Sequence, residues 1–211
     1  MVLLKAFRGQ ELHQTTVVTW EDRYPDIFTR CREYFKKRDD LTILSYGCST
    51  GEEVVTLRKY FPSARIVGAE INPRSLAICR ARRVDDNISF IDSSDELIRR
   101  AGPFDVVFCM AVLQRLPHFV KAEGMKSLAE LYPFEKFNTQ VSAFDRVLRT
   151  GGLLVIHHTQ YVFADASVAS RYTPLADQPE LGQDGPWFDR NSALIEGLVV
   201  TPSIWVKRSQ L

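Results

Sequence analysis

Apolar positions follow two alternating rhythms along this chain. Short dense runs give way to longer stretches in which apolar residues return every third or fourth position. The first run, Leu41 to Tyr46, reads as a strand, and the helix from about Gly51 carries Val54, Val55, Leu57 and Phe61 until Pro62 stops it. The unit then repeats: Ala64 to Glu70 is a strand, and Pro73 to Arg83 is a helix with Leu76 and Ile78 on one side. Ile88 to Asp92, a short helix over Asp95 to Arg100 and a strand over Phe104 to Met110 follow. Helices are expected over Val120 to Leu131 and Phe134 to Leu148, after which Gly151-Gly152 turns the chain into a fifth strand, Leu153 to His157. Ahead of all this, Ile27, Cys31, Tyr34 and Phe35 recur at helical spacing, and Lys36, Lys37 and Arg38 suit a helix C-terminus. Strands alternating with helices predict an α/β fold: a Rossmann-like, doubly wound, mostly parallel sheet of about seven strands with helices on both faces.

Beyond Thr159 the rhythm weakens. Ser170 to Pro186 is rich in Pro, Gly, Asp and Gln and reads as a long loop, while Ser203 to Arg208 alternates like a last strand. No internal repeat or shift of composition marks a boundary, so residues 1–211 are expected to form one domain. Within it, 1–40 is a helical appendage, 41–158 a cofactor-binding core, and 159–211 a substrate-side loop with the last strands. Composition agrees: 45% apolar and 25% charged residues are ordinary for a soluble globular chain. A net charge of +1 supplies no overall field toward nucleic acid or anionic membrane, so neither partner is expected. The basic cluster from Arg30 to Arg38 reads as a solvated helix face. The four cysteines are scattered, without a Cys-x-x-Cys or a neighbouring histidine at ligand spacing, so no metal site is expected and the thiols should be reduced and buried. The first apolar residues are too few for a signal-peptide core and no run approaches a membrane span, which makes the cytoplasm the expected compartment. Oligomeric state stays open.

Candidate chemistry starts from Ile43 to Leu57, a strand, a turn with Gly47 and Gly51, and an acidic helix start. Such a turn lets the backbone approach a ligand, with the first helical N–H groups pointing toward it. Open parallel sheets bind ligands at the carboxyl ends of their strands, beside the point where strand order reverses. The five strand ends are Tyr46-Gly47-Cys48-Ser49, Glu70-Ile71-Asn72, Asp92-Ser93, Met110-Ala111 and His157-His158. Glu70 follows the turn at the spacing of an acid that meets ribose hydroxyls, with a solvated strand-end acid as the plain alternative. Asp92 either accepts from an adenine amino group or caps the following helix. The turn is not G-x-G-x-x-G, and no lysine follows its second glycine, which argues against a dinucleotide or a triphosphate.

These residues resemble the core of class I S-adenosylmethionine-dependent methyltransferases over residues 41–158. The family's first motif, commonly Asp-x-Gly-x-Gly-x-Gly, stands here as Ser45-Tyr46-Gly47-Cys48-Ser49-Thr50-Gly51, and LRTGGLLVI from Leu148 to Ile156 looks like its turn into strand five. The Cys-Ser-Thr-Gly-Glu-Glu wording, together with FDVVFCMAVLQRL, is similar to the chemotaxis receptor methyltransferases. There is no room for the separate helical domain of those enzymes and no obvious docking hairpin, so their glutamate substrate is not transferred. The resemblance implies that S-adenosylmethionine lies with its methionine part against Tyr46, Gly47, Ser49 and Gly51. It further implies that Glu70 takes the ribose, that Ile71 and Ser93 flank the adenine, that Asp92 meets its amino group, and that Met110 and Ala111 pass under the sulfonium. Ser45 departs from the usual aspartate. Glu52 or Glu53 would then face the ammonium, and Arg23 the carboxylate unless it is a plain surface ion-pair residue.

Methyl transfer from a sulfonium needs alignment before it needs acid or base: positioning supplies about 7–11 kcal/mol of the barrier and a general base about 10²- to 10⁴-fold. Where the acceptor must lose a proton, His118, His157 and His158 lie at plausible edges, each also readable as a capping or core histidine. Tyr161 and Trp187 would wall an acceptor or simply pack. The Asn-Pro-Pro-Tyr wording of enzymes that methylate planar amino groups is absent after strand four, where Cys109-Met110-Ala111-Val112 stands. The resulting expectation is methyl transfer to a small molecule or a protein carboxylate. The alternative is a non-catalytic binding or regulatory protein that keeps the fold.

Overall fold

The computed structural model describes residues 13–14, 18–36, 38–178, 185–198 and 200–209. Helix α1 (Pro25–Phe35) leads into β1 (Thr42–Tyr46), α2 (Glu52–Tyr60), β2 (Arg65–Glu70), α3 (Pro73–Arg80), β3 (Ile88–Asp92), α4 (Asp95–Ala101) and β4 (Phe104–Met110). After these come α5 (Pro117–Ala122), α6 (Phe134–Val147) and β5 (Leu148–His157), then the short strands β6 (Tyr172–Pro174), β7 (Trp187–Phe188) and β8 (Leu194–Ile195), and finally β9 (Ile204–Lys207). Seven strands form one sheet in the order β3-β2-β1-β4-β5-β9-β6. The pairs from β3 through to β5 are parallel; β9 runs antiparallel to both β5 and β6. The doubly wound expectation is therefore met.

Strand order reverses between β1 and β4, which pair directly through Ile43↔Val106 and Ser45↔Phe108. That junction is where an open parallel sheet leaves a crevice at its carboxyl edge.

Alternation along each strand divides the core into two layers. Ile43, Val106, Phe108 and Val155 pack with Ile27, Phe28 and Cys31 of α1 and with Val54 and Leu57 of α2. Leu44, Tyr46, Val107, Cys109 and Ile156 face the other way, against Phe137, Val141 and Phe144 of α6. Both faces being covered explains why the central strands read as unbroken apolar runs. It also decides where Ser45 goes: its side chain shares a face with Ile43 and points toward α2.

Three sequence readings need correction. The helix expected over Val120 to Leu131 is only α5, because the chain turns at Gly124 (φ 55°) and Leu128 then donates its N–H to Ser192 O at 2.9 Å. The strand expected from Leu153 begins at Leu148, and Gly151-Gly152 lies inside it, beside a register shift against β4. A Cβ at Gly152 would stand 2.8 Å from the carbonyls of both Arg149 and Asp105, so the close approach of the two strands requires glycine there. The third correction is in the loop expected over Ser170 to Pro186, which contains edge strand β6, held by β9. Residues 179–184 of that loop, and most of the polar segment before Thr19, lie outside the described residues.

Candidate functional site

The turn after β1 is built by hydrogen bonds to the next strand. Gly47 N donates to Ala69 O at 2.8 Å, Cys48 N donates to the same carbonyl at 3.2 Å, and Gly51 N closes onto Cys48 O at 2.9 Å. Gly47 has φ 73°, and a Cβ there would meet the Val112 side chain at 2.5 Å, so the loop after β4 rests directly on this turn. Beneath it, the Cys79 thiol donates to Ser49 O at 3.1 Å and Arg82 Nε donates to Thr50 O at 2.5 Å. The Ser49 hydroxyl is buried and has no partner.

Glu70 ends β2 beside the turn. Its Oε2 accepts from Ser49 N at 2.8 Å and its Oε1 from Asn72 N at 2.7 Å. Burial pushes its carboxyl above the ordinary range, against the pull of these backbone donors. A third backbone group, Ile71 N–H, also acts on it, and a carboxylate that accepts about four hydrogen bonds keeps some capacity for a hydroxyl. Asp92 is the register partner of Glu70 on β3 and accepts from Ser94 N at 3.0 Å, a local turn ahead of α4, whose N-cap Ser94 makes no side-chain capping bond. Ile71 and Ser93 flank the two acids, both partly exposed. On the other side of the strand-order reversal, Met110 is buried, and Ala111, with φ 58°, donates its N–H to His157 O at 2.8 Å.

Where the motif aspartate is missing, the Ser45 hydroxyl donates to Glu53 Oε1 at 2.7 Å. Burial raises the Glu53 carboxyl to about 7, opposed by this hydrogen bond and by the charge of Arg23. The neighbouring Glu52 is turned away, to Thr50 Oγ1 at 2.7 Å and to Arg82. Arg23 stacks 4.3 Å over Trp20 and 5.0 Å from the ring centre of Tyr24. Tyr24 is buried edge-on to His157 at 5.2 Å, and its hydroxyl has no partner. The start of α1 thus folds over the β1–β5 end of the crevice, bringing Arg23, Tyr24, Glu53 and His157 together.

The three candidate histidines sit in different surroundings. His157 is buried, bonds Ser203 Oγ through Nδ1 at 2.9 Å, and is lowered to about 3 by burial, by His158 and by Arg23. That environment keeps it neutral and makes it a weak base near neutral pH. His158 is partly exposed, its ring 4.3 Å from that of His157. His118 is exposed on α5. Tyr46 sends its side chain to the α6 face, where its hydroxyl donates to Gln140 Oε1 at 2.9 Å, so only its backbone borders the turn.

Sequence reasoning passed over two groups that the structure brings to this edge. His13 Nδ1 lies 2.6 Å from the Tyr132 hydroxyl, with burial lowering the imidazole to about 4. Gln160, fully buried, holds Arg115 N through Oε1 at 2.6 Å. Neither belongs to a motif; only its place after strand five could have marked Gln160. Among the described residues no group of three or more His, Cys, Asp or Glu is placed to hold a metal ion, and no helix is long and apolar enough to cross a membrane.

Residues 37–184 match the methyltransferase-domain family. Among curated proteins, a modification methylase of Paramecium bursaria Chlorella virus NC1A is 27% identical over 95 residues, and an uncharacterized protein of Synechococcus sp. is 30% identical over 102 residues. These alignments cover 45% and 46% of this chain, and the chain spans about a quarter of either relative, 24% in each case. Among solved structures, the S-adenosylmethionine-bound amino pentose methyltransferase CalS10 of Micromonospora echinaspora has a TM-score of 0.48 at 22% identity, covering 77% of this chain and 58% of that one. The plantazolicin methyltransferase BpumL in complex with SAH has a TM-score of 0.46 at 16% identity, covering 62% and 44%. With 148 of 211 residues inside the family match (184 − 37 + 1), the chain belongs to the methyltransferase-domain family, whose methyl donor is S-adenosylmethionine.

Proposed function

We propose that this protein transfers a methyl group from S-adenosylmethionine to a small molecule or a protein carboxylate. The observation that carries the reading is Glu70, buried at the carboxyl end of β2 beside the Gly47–Gly51 turn, with lone pairs left over from Ser49 and Asn72. The surrounding residues fit the cofactor. Glu70 accepts the ribose hydroxyls, Asp92 the adenine amino group, and Ile71 and Ser93 border the base. The unpartnered Ser49 hydroxyl and the backbone of Tyr46, Gly47 and Gly51 line the amino-acid end. Glu53, held by Ser45, faces the ammonium in place of the missing aspartate, and Arg23 is on hand for the carboxylate. Met110 and Ala111 form the floor beneath the sulfur. Bound there, S-adenosylmethionine supplies an electrophilic methyl on a good leaving group.

What the chain contributes is alignment and exclusion of water by the α1 cover and the Val112 loop. An ionised carboxylate acceptor needs no base. For an acceptor that must shed a proton, His158 is the group at the edge, since His157 is held neutral and weakly basic and His118 stands exposed on α5.

The test is transfer of labelled methyl from the cofactor to a panel of small carboxylic acids and acidic peptides, followed by mild alkali. Label released as methanol marks a methyl ester and supports a carboxylate acceptor. Label retained after alkali points to a hydroxyl or amine. Absence of transfer despite cofactor binding would favour a regulatory protein that keeps the fold.

A further inference from the structure

Among the described residues, five buried side-chain polar atoms lack a partner, and four of them sit at the carboxyl edge of the sheet. Ser49 and Tyr24 belong to the crevice already described. The other two, Gln160 Nε2 and Trp187 Nε1, form a separate pair.

Their adjacency follows from the backbone. Phe188 N donates to Gln160 O at 2.8 Å, and Tyr161 and Phe188 form a parallel bridge. Tyr161 and Phe188 both face the α6-side core, so Gln160 and Trp187, one residue back on each segment, share the opposite side. Trp187, only 1% exposed, belongs to neither apolar core cluster. The Gln160 amide cannot be flipped to hide its donor, because Oε1 already accepts from Arg115 N at 2.6 Å. Gln160 N and Thr159 Oγ1 both reach Leu113 O, which ties this site to the loop running from the end of β4. An acceptor would lie there, beyond Met110.

We propose that Gln160 and Trp187 anchor a carboxylate group of the acceptor molecule; this rests on reading the crevice as a methyl-transfer site. Two N–H donors with no acceptor of their own call for a ligand atom that only accepts. A hydroxyl brings a donor that would need a further partner, and an ammonium brings only donors. A carboxylate satisfies both, and hydrogen bonds to a charged oxygen are about twice as strong as neutral ones. The local field agrees in sign: the charge of Arg115 is felt at His13 and Tyr132 nearby, and Lys136 adds to it at His13.

Formate is the probe, because both donors are buried and only a compact carboxylate reaches them without displacing the aromatic walls. The full chain, labelled with ¹⁵N, is titrated with sodium formate, with sodium chloride at matched ionic strength and with formamide, in the presence and absence of S-adenosylhomocysteine. The Trp187 indole N–H, assigned by its loss in Trp187→Phe, should move downfield and saturate with formate, with at least a ~10-fold weaker response to formamide and none to chloride. Gln160→Glu keeps an oxygen for Arg115 N while replacing the donor by a charge, and should abolish the formate response. Trp187→Phe should weaken formate binding as read on the Gln160 side-chain amide. An indole that does not move, an equal response to formamide, or a full response in Gln160→Glu would overturn the anchor. Failure of S-adenosylhomocysteine to bind, measured by calorimetry on the same sample, would instead overturn the methyl-transfer reading.

Discussion

The Ser45 hydroxyl donates to the Glu53 carboxylate at 2.7 Å, so a carboxylate from the first turn of α2 stands beside the β1 position where the resembled motif commonly has aspartate. Strand alternation makes this possible: Ser45 shares a face with Ile43, toward the helix that carries Glu53. A carboxylate held this way is displaced from the strand by one hydrogen bond. It also benefits from the positive end of the α2 dipole.

Glu53 is expected to destabilise the ligand-free protein when ionised. Its folded value, about 7, is raised by burial above an ordinary 4.5, so the folded state holds a proton that the unfolded chain has released. Stability from this group is therefore full below about pH 4.5 and falls as pH rises to about 7. Glu53→Gln should raise stability at pH 8 by roughly 1–3 kcal/mol and have little effect at pH 4, as read by urea unfolding at the two pH values. An equal effect at both would show that the carboxyl is not perturbed.

The same proton should appear in binding. If ionised Glu53 faces the cofactor's ammonium, S-adenosylhomocysteine affinity should climb as pH rises from 6 to 8 and level off. Glu53→Gln should flatten that climb and weaken binding at pH 8 by roughly 10- to 100-fold, in keeping with loss of a buried charge-assisted contact. Binding of 5′-methylthioadenosine, which lacks the ammonium, should change little. Calorimetry across this pH range is the measurement.

Gly47→Ala should cost roughly 1–3 kcal/mol, because φ 73° disfavours a side chain and the new Cβ would press on Val112 at 2.5 Å. Val112→Ala in the same chain should recover part of that loss, leaving the backbone term. Chemical denaturation of the single and double variants separates the two.

His157 gives the acid limb of stability. Burial lowers it to about 3, below the ordinary 6.5, so the unfolded chain binds a proton that the folded one refuses between those values. Its contribution is fully present above about pH 6.5 and is lost as pH falls toward 3. His157→Gln should flatten the fall in melting temperature across that window, with the Ser203 contact retained by the amide.

Much of the fold was legible because the central strands are buried on both faces and stand out as apolar runs, and the place of Glu70 at the end of β2 was legible with them. The Glu52–Glu53 pair was visible as a possible replacement for the aspartate, but only the packing of α2 sends Glu53 to Ser45 and Glu52 to Arg82. Edge strand β6 was hidden: it is three residues long, ends in proline, and owes its strand form to pairing with β9. The sequence placed Tyr46 beside the turn but not its side chain, which its position in the strand turns to Gln140. His13 and Gln160 carry no periodic or motif signal, and Trp187 stood out only as an aromatic that would wall an acceptor or pack, since tertiary contacts set their places.

The most direct measurement is calorimetric titration of S-adenosylhomocysteine into the protein and into Glu70→Ala. Micromolar-range binding by the first, weakened at least ~30-fold in the second by loss of the ribose contacts, is the expected result. No binding to the unaltered chain, or equal binding by both proteins, would contradict the placement of the cofactor between Glu70 and the Gly47 turn.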